Sequence, residues 1–220
     1  LMMNFDNVSA LGENDTNVVD VSQYGNNGTC DSGNGYCPSW DSNGKYDGAF
    51  SFDGDDDYID CGNDSSLNID TQITIEAWVN PSSWSDWQGL IGKVSDDNWA
   101  DGFGIAHYYS GYSDDLYFWV SNYDSYKVGA NVSLSEWSHI VGTYDGTTMN
   151  IYVNGILQSS FETSTSITTN PSNLVIGGMN YPVTYDYYWH GSIDEVKIYN
   201  RSISADEVKQ HYYSNFKKYD

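Results

Sequence analysis

Ile73-Thr74-Ile75-Glu76-Ala77-Trp78-Val79 is the stretch on which the fold turns. Successive side chains of a strand point to opposite faces, so Ile73, Ile75, Ala77 and Val79 share one face and Thr74, Glu76 and Trp78 the other. It reads as a strand with one core face. Short β-branched or aromatic runs surround it, each bounded by Gly, Asn, Asp or Ser clusters: Ala49 to Phe52, Tyr58 to Cys61, Gly89 to Val94, Phe103 to Tyr108, Leu116 to Val120, Trp137 to Tyr144, Met149 to Val153, Asn173 to Ile176 and Gly191 to Tyr199. Asp145-Gly146 and Asn154-Gly155 tolerate positive φ, so both are expected to form type I′ turns that join three successive antiparallel strands into a meander. One helix is expected, at Ser204 to His211, opened by a Ser204/Glu207 capping box. No internal repeat or Pro-rich linker interrupts the pattern, so one domain over 1–220 is expected.

The chain carries 31 acidic against 8 basic side chains, a formal charge of −23. A nucleic acid would be repelled, which excludes that partner class. The acids serve either as a solvated surface or as ligands for hard cations. No run approaches the roughly 18 apolar residues that a membrane helix needs, so no membrane insertion is expected. Leu1-Met2-Met3 is too short for a signal peptide, and the chain is read as a mature form or a module of a longer multidomain surface protein. Cys30 and Cys37 flank a flexible turn and are expected to pair, leaving Cys61 as a buried thiol. Asn-x-Ser/Thr sequons at Asn7, Asn14, Asn27, Asn63, Asn131 and Asn200 agree with an extracellular or cell-surface location.

Several segments, in order, resemble the laminin G-like domains of the concanavalin A-like superfamily. They are Met3-Asn4-Phe5-Asp6, Asp47-Gly48-Ala49-Phe50-Ser51-Phe52-Asp53-Gly54, the Ile73 strand, Glu136-Trp137-Ser138-His139-Ile140-Val141-Gly142, Ile151-Tyr152-Val153-Asn154-Gly155, and Gly191-Ser192-Ile193-Asp194-Glu195-Val196-Lys197-Ile198-Tyr199. The resemblance covers essentially the whole chain. It implies an all-β fold, a two-sheet antiparallel jelly-roll sandwich with a short C-terminal helix. In this superfamily a structural ion commonly ties the N-terminal strand to a late strand, which implies Ca²⁺ at Asp6 and Asp194, with Asn26 and Asn43 completing its shell. Both acids adjoin apolar strand residues, where an uncompensated carboxylate is costly.

Enzymes of the superfamily carry paired carboxylates as Glu-x-Asp-x-Glu or a one-residue-longer version, and this chain contains neither. Asp55-Asp56-Asp57 and Asp114-Asp115 are consecutive acids in turn-like contexts, where neighbours point apart and repel. No catalytic pair is therefore expected, and histidines 107, 139, 190 and 211 are read as turn or core-edge residues. Aromatics carry the functional expectation instead, because sugar rings present apolar C–H faces that lie on flat Trp or Tyr rings. The candidate ligand-binding residues, all in apparent loops, are Trp84, Trp87, Trp99, Tyr109, Tyr112, Tyr123, Tyr126, Tyr185 and Tyr187; Trp78 and Trp137 are expected to stabilise the fold. A non-catalytic, lectin-like module that binds a glycan or glycoprotein is the leading expectation. The rivals are a protein–protein adhesion domain and, behind it, a glycoside hydrolase or lyase.

Overall fold

The computed structural model describes residues 1–95, 99–108, 115–179 and 187–214. In chain order its strands are Met2–Met3 (β1), Asn17–Val18 (β2), Gly28–Thr29 (β3), Ser39–Asp41 (β4), Ala49–Asp53 (β5), Ile59–Asp60 (β6), Ile73–Pro81 (β7) and Trp87–Lys93 (β8). They continue with Phe103–Tyr108 (β9), Asp115–Val120 (β10), Lys127–Asn131 (β11), Ser138–Tyr144 (β12), Thr148–Val153 (β13), Ile156–Glu162 (β14), Val175–Ile176 (β15) and His190–Tyr199 (β16). The helix Ala205–Tyr213 (α1) follows. No helix among the described residues is long and apolar enough to cross a membrane.

Two antiparallel eight-stranded sheets face each other. The first runs β14-β13-β12-β7-β16-β5-β4, with β1 also on β16; the second runs β11-β10-β9-β8-β15-β6-β3-β2. Their inner faces make one core, in which Phe50, Phe52, Ile73, Ile75, Val79, Ile140 and Ile193 of the first sheet meet Leu90, Ile91, Phe103, Ile105, Leu116, Phe118 and Val120 of the second. Each such side chain stabilises the sandwich by about 1.5–3 kcal/mol on burial. The expected sandwich with a C-terminal helix is therefore what forms.

The strand that opened the reading departs from it on one point. β7 is central, and its outer face is as buried as its inner one: Thr74, Glu76 and Trp78 are 0%, 2% and 4% exposed. The cause is α1, which lies back over the first sheet, Val208 packing with Val141, Tyr152 and Ile203. Its capping box forms in full, Ser204 accepting from the Glu207 N–H while Glu207 accepts from the Ser204 N–H. The two hairpin turns also divide. Asn154 and Gly155 both have positive φ, 51° and 76°, as a type I′ turn needs. In the 145–147 loop positive φ is confined to Gly146, and Asp145 Oδ1 accepts the N–H groups of Thr147 and Thr148 at 2.8 and 2.7 Å. Trp137 lies half-buried just before β12 rather than within it. Cys30 and Cys37 are bonded, and burial pushes the remaining Cys61 thiol up.

Candidate functional site: an aromatic face on the second sheet

The outer face of the second sheet follows from alternation. On β10, Leu116, Phe118 and Val120 enter the main core while Trp119 joins a separate outer cluster with Val94, Trp99, Ala106, Tyr123 and Met179. Trp87, Tyr108, Tyr117 and Tyr187 pack against that cluster as partly buried rings. Small residues on neighbouring strands let the rings lie flat. A Cβ on Gly104 of β9 would stand 2.4 Å from Trp119 Cη2, and one on Gly129 of β11 would stand 2.6 Å from Tyr117 Cε1.

Within the cluster, Trp99 stacks on Trp119 with centroids 5.0 Å apart and planes at 14°. Trp87, Tyr123 and Tyr187 meet Trp99 edge-on at 4.8, 5.2 and 5.5 Å. Tyr108 lies 4.0 Å from Trp87. Two backbone bonds fix the flanking segments, Tyr123 N–H to Trp99 O at 2.9 Å and Gly89 N–H to Tyr187 O at 2.7 Å. Lys127 Nζ sits 3.9 Å over the Tyr123 ring, and burial draws its pKa down. The indole N–H groups of Trp99 and Trp119 and the Tyr123 hydroxyl are buried and find no hydrogen-bond partner among the described residues. The face thus combines apolar ring surface with donors that lack acceptors.

Of the residues expected to bind ligand, Trp87, Trp99, Tyr123 and Tyr187 converge here. Two do not and are corrected. Trp84 turns inward, stacked 4.2 Å from His107 and packed on the main core, and Tyr126 packs on the same core. Tyr109, Tyr112 and Tyr185 lie outside the described residues. Tyr117, Trp119 and Met179 were missed. The signal of the two aromatics was present in the alternation of Asp115–Val120, but apolar side chains on both faces of a strand hide which face is inner.

The expected metal ligands separate too. Asp194, 0% exposed, accepts the Tyr46 N–H at 2.9 Å, and Asp6 accepts the Gly48 N–H at 3.2 Å. The two carboxylates therefore grip one turn, closed by Gly44 N–H to Asp47 O at 2.8 Å. Asn43 adjoins that turn with its amide on Asp41 at 2.8 Å. Asn26 is engaged elsewhere, its N–H on Asp20 at 2.8 Å and its side chain on Ser66 at 3.0 Å.

The acid run at Asp55 to Asp57 also differs from expectation. The turn after β5 curls so that carboxylate oxygens of Asp53, Asp56 and Asp57 lie within 4.8 Å of one another. Asp57 accepts the Asp53 N–H at 2.9 Å, and burial together with the charges of Asp53 and Asp56 pushes its pKa up to about 6. This group ends a strand of the first sheet, whereas the aromatic face is the outside of the second.

Beneath α1, Glu76 lies 3.1 Å from His139 Nε2 and 3.6 Å from Lys197 Nζ through one oxygen, and 2.8 Å from His211 Nδ1 through the other. Burial opposes its ionisation, but the His139 and His211 bonds and the Lys197 charge outweigh it and hold the carboxyl well below its usual range. The two histidines read as turn or core-edge residues instead bracket a buried carboxylate.

No curated protein matches the sequence. Among solved structures, domain 4 of AbnA, a GH43 extracellular arabinanase from Geobacillus stearothermophilus in complex with arabinotriose, superposes with a TM-score of 0.61 at 20% identity, over 79% of this chain and 80% of that one. The binding domain of Paraclostridial Mosquitocidal Protein 1 gives 0.69 at 16% identity over 96% of this chain, which spans about half, 51%, of that longer domain. The CBM40 of the Ruminococcus gnavus IT-sialidase gives 0.55 at 19% identity, over 67% of this chain and 85% of that one. At these identities the likeness is one of fold. The sequence itself matches a family profile over residues 53–209, and the chain belongs to that family, Laminin_G_3 of the concanavalin A-like lectin/glucanases superfamily.

Proposed function

We propose that the aromatic face is a glycan-binding surface and that the chain is a non-catalytic carbohydrate-binding module. The convergence of Trp87, Trp99, Tyr108, Tyr117, Trp119, Tyr123 and Tyr187 on one outer sheet face carries the proposal. Such rings offer the flat apolar surface that sugar C–H faces need, and Trp87, Tyr108, Tyr117 and Tyr187 keep part of that surface open to solvent. The arabinanase domain that shares the fold is seen with arabinotriose, which supports a saccharide as the ligand class. A glycosidase needs two carboxylates flanking the bound sugar, about 5 Å apart when retaining and roughly 6.5–9.5 Å when inverting, and the Asp53/Asp56/Asp57 group stands on the other sheet. Export is part of the proposal, because the Cys30–Cys37 bond belongs in an oxidising compartment. So is calcium, held by Asp6 and Asp194 at the turn both acids grip, where a cation would relieve two carboxylates brought to one turn.

A glycan array in calcium-containing buffer tests the binding. Hits are expected among oligosaccharides, and Trp87→Ala should weaken them at least tenfold while leaving the melting transition cooperative. Silence across the array would favour the second reading, a protein partner. That rival draws support from β14, an edge strand with Ile156, Leu157 and Phe161 63%, 49% and 40% exposed.

A further inference from the structure

We infer that Trp99 is a built-in plug of the aromatic face, and that an uncharged saccharide enters by displacing its indole from Trp119. The inference rests on the reading of that face as a saccharide site and names its ligand class and the residue that gates it. Trp99 occupies the place a flat ligand ring would take, stacked on Trp119 and framed by the edges of Trp87, Tyr123 and Tyr187. The arrangement satisfies the rings and fails the polar atoms. Trp99 is 2% exposed, Trp119 0% and Tyr123 2%, yet both indole N–H groups and the Tyr123 hydroxyl are buried without partners among the described residues. A buried donor with no acceptor is costly, so the stack is a poor end state on its polar side.

The backbone at Trp99 adds to this. Its φ is +47°, in the left-handed region that a bulky side chain rarely adopts and that marks stored strain. The Trp99 carbonyl is nevertheless anchored by the Tyr123 N–H at 2.9 Å, so displacement requires rotation of the side chain and not release of the chain. A sugar ring laid on Trp119 replaces the lost stacking with its C–H face, and its hydroxyl oxygens accept from the Trp119 N–H and the Tyr123 O–H. Its charge class follows from the surroundings. The chain carries −23, the Tyr117 hydroxyl donates to the Asp115 carboxylate at 3.5 Å, and Asp124 acts on Lys127, a cation at the site. An anionic sugar meets net repulsion there and a neutral one does not.

Calorimetric titration with arabinotriose, xylotriose, cellotriose and galactotriose as neutral probes, and with sialyllactose and trigalacturonate as anionic ones, tests the inference. Trp99→Ala is expected to bind at least one neutral trisaccharide several-fold more tightly than wild type, because no plug must leave. In protein labelled with 5-fluorotryptophan, the ¹⁹F resonance assigned to Trp99 should move toward the solvent-exposed position on saturation. If Trp99→Ala does not fold, Trp99→Phe, which keeps the ring and sheds one unpartnered donor, carries the affinity comparison with the same sign. Equal or weaker binding by the folded variant, with wild type still binding, would overturn the plug and leave the saccharide site standing. Absence of binding by both wild type and folded variant would overturn the site and the plug with it. Tighter binding of the anionic probes would overturn the charge class.

Discussion

Glu76 is a carboxylate 2% exposed, with two imidazoles and an ammonium at its two oxygens. Removing its charge leaves the two histidines without a carboxylate and Lys197 with Glu195 alone, and breaking a buried pair typically costs about 3–5 kcal/mol. Glu76→Gln should lower stability by that order in urea melts at pH 7. Because the folded-state pKa lies below the ordinary 4.5, the contribution is complete above pH 4.5 and is lost as pH falls below it. The gap between wild type and variant should therefore be constant above about pH 5 and narrow, without closing, in melts taken from about pH 5 down to 3. Asp57 has the opposite sign. Its pKa is raised from 3.8 to about 6, so the folded chain holds the proton more tightly and stability declines as pH rises through that window. Asp57→Asn keeps an acceptor for the Asp53 N–H and should raise stability at pH 7 by about 1 kcal/mol, a figure discounted because Asp53 is solvent-exposed. No gain at pH 7, or an equal gain at pH 3.5, would contradict this.

At the scale of elements, the aromatic face depends on what the neighbouring strands leave out. Trp119 can lie across β9 because position 104 has no side chain. Gly104→Ala places a Cβ 2.4 Å from the ring and should cost about 1–3 kcal/mol while weakening glycan binding, since Trp119 must shift. Ser204→Ala makes a useful contrast: losing the cap of α1 should cost about 1 kcal/mol and leave binding unchanged, because α1 covers the first sheet. Much of this level was legible beforehand. The capping box and the Asn154-Gly155 turn are local chemistry, and both formed as read. The Asp145 loop was misread because the Asp side chain, by accepting two backbone N–H groups, stabilises a conformation that dipeptide identity does not specify. β14 was expected only as the third strand of the meander, without bounds, since it carries no charge before Glu162 and little alternation; pairing with β13 gives it Ile156–Glu162.

For the molecule as a whole, Asp6 and Asp194 bring the chain's start, the 44–48 turn and β16 to one point. Bound calcium there would couple segments far apart in sequence, so chelation should lower the melting temperature by several degrees and excess Ca²⁺ should restore it. An unchanged calorimetric transition would count against the site, as would an effect that survives Asp194→Asn. Trp84 and Trp87 show where local reading stops: three residues apart, one enters the core beside His107 and the other joins the outer rings. The sequence by itself determined the β7, β12 and β13 strands, the capped helix and the Cys30–Cys37 pair, because period-two alternation, turn chemistry and short loop closure act between near neighbours, while the sandwich was implied by the family resemblance. Tertiary structure alone decided that both faces of β7 are buried, that Glu76 sits between two histidines, and which aromatics share a face. Those outcomes depend on which distant strand or helix covers a side chain, a relation that sequence spacing does not carry.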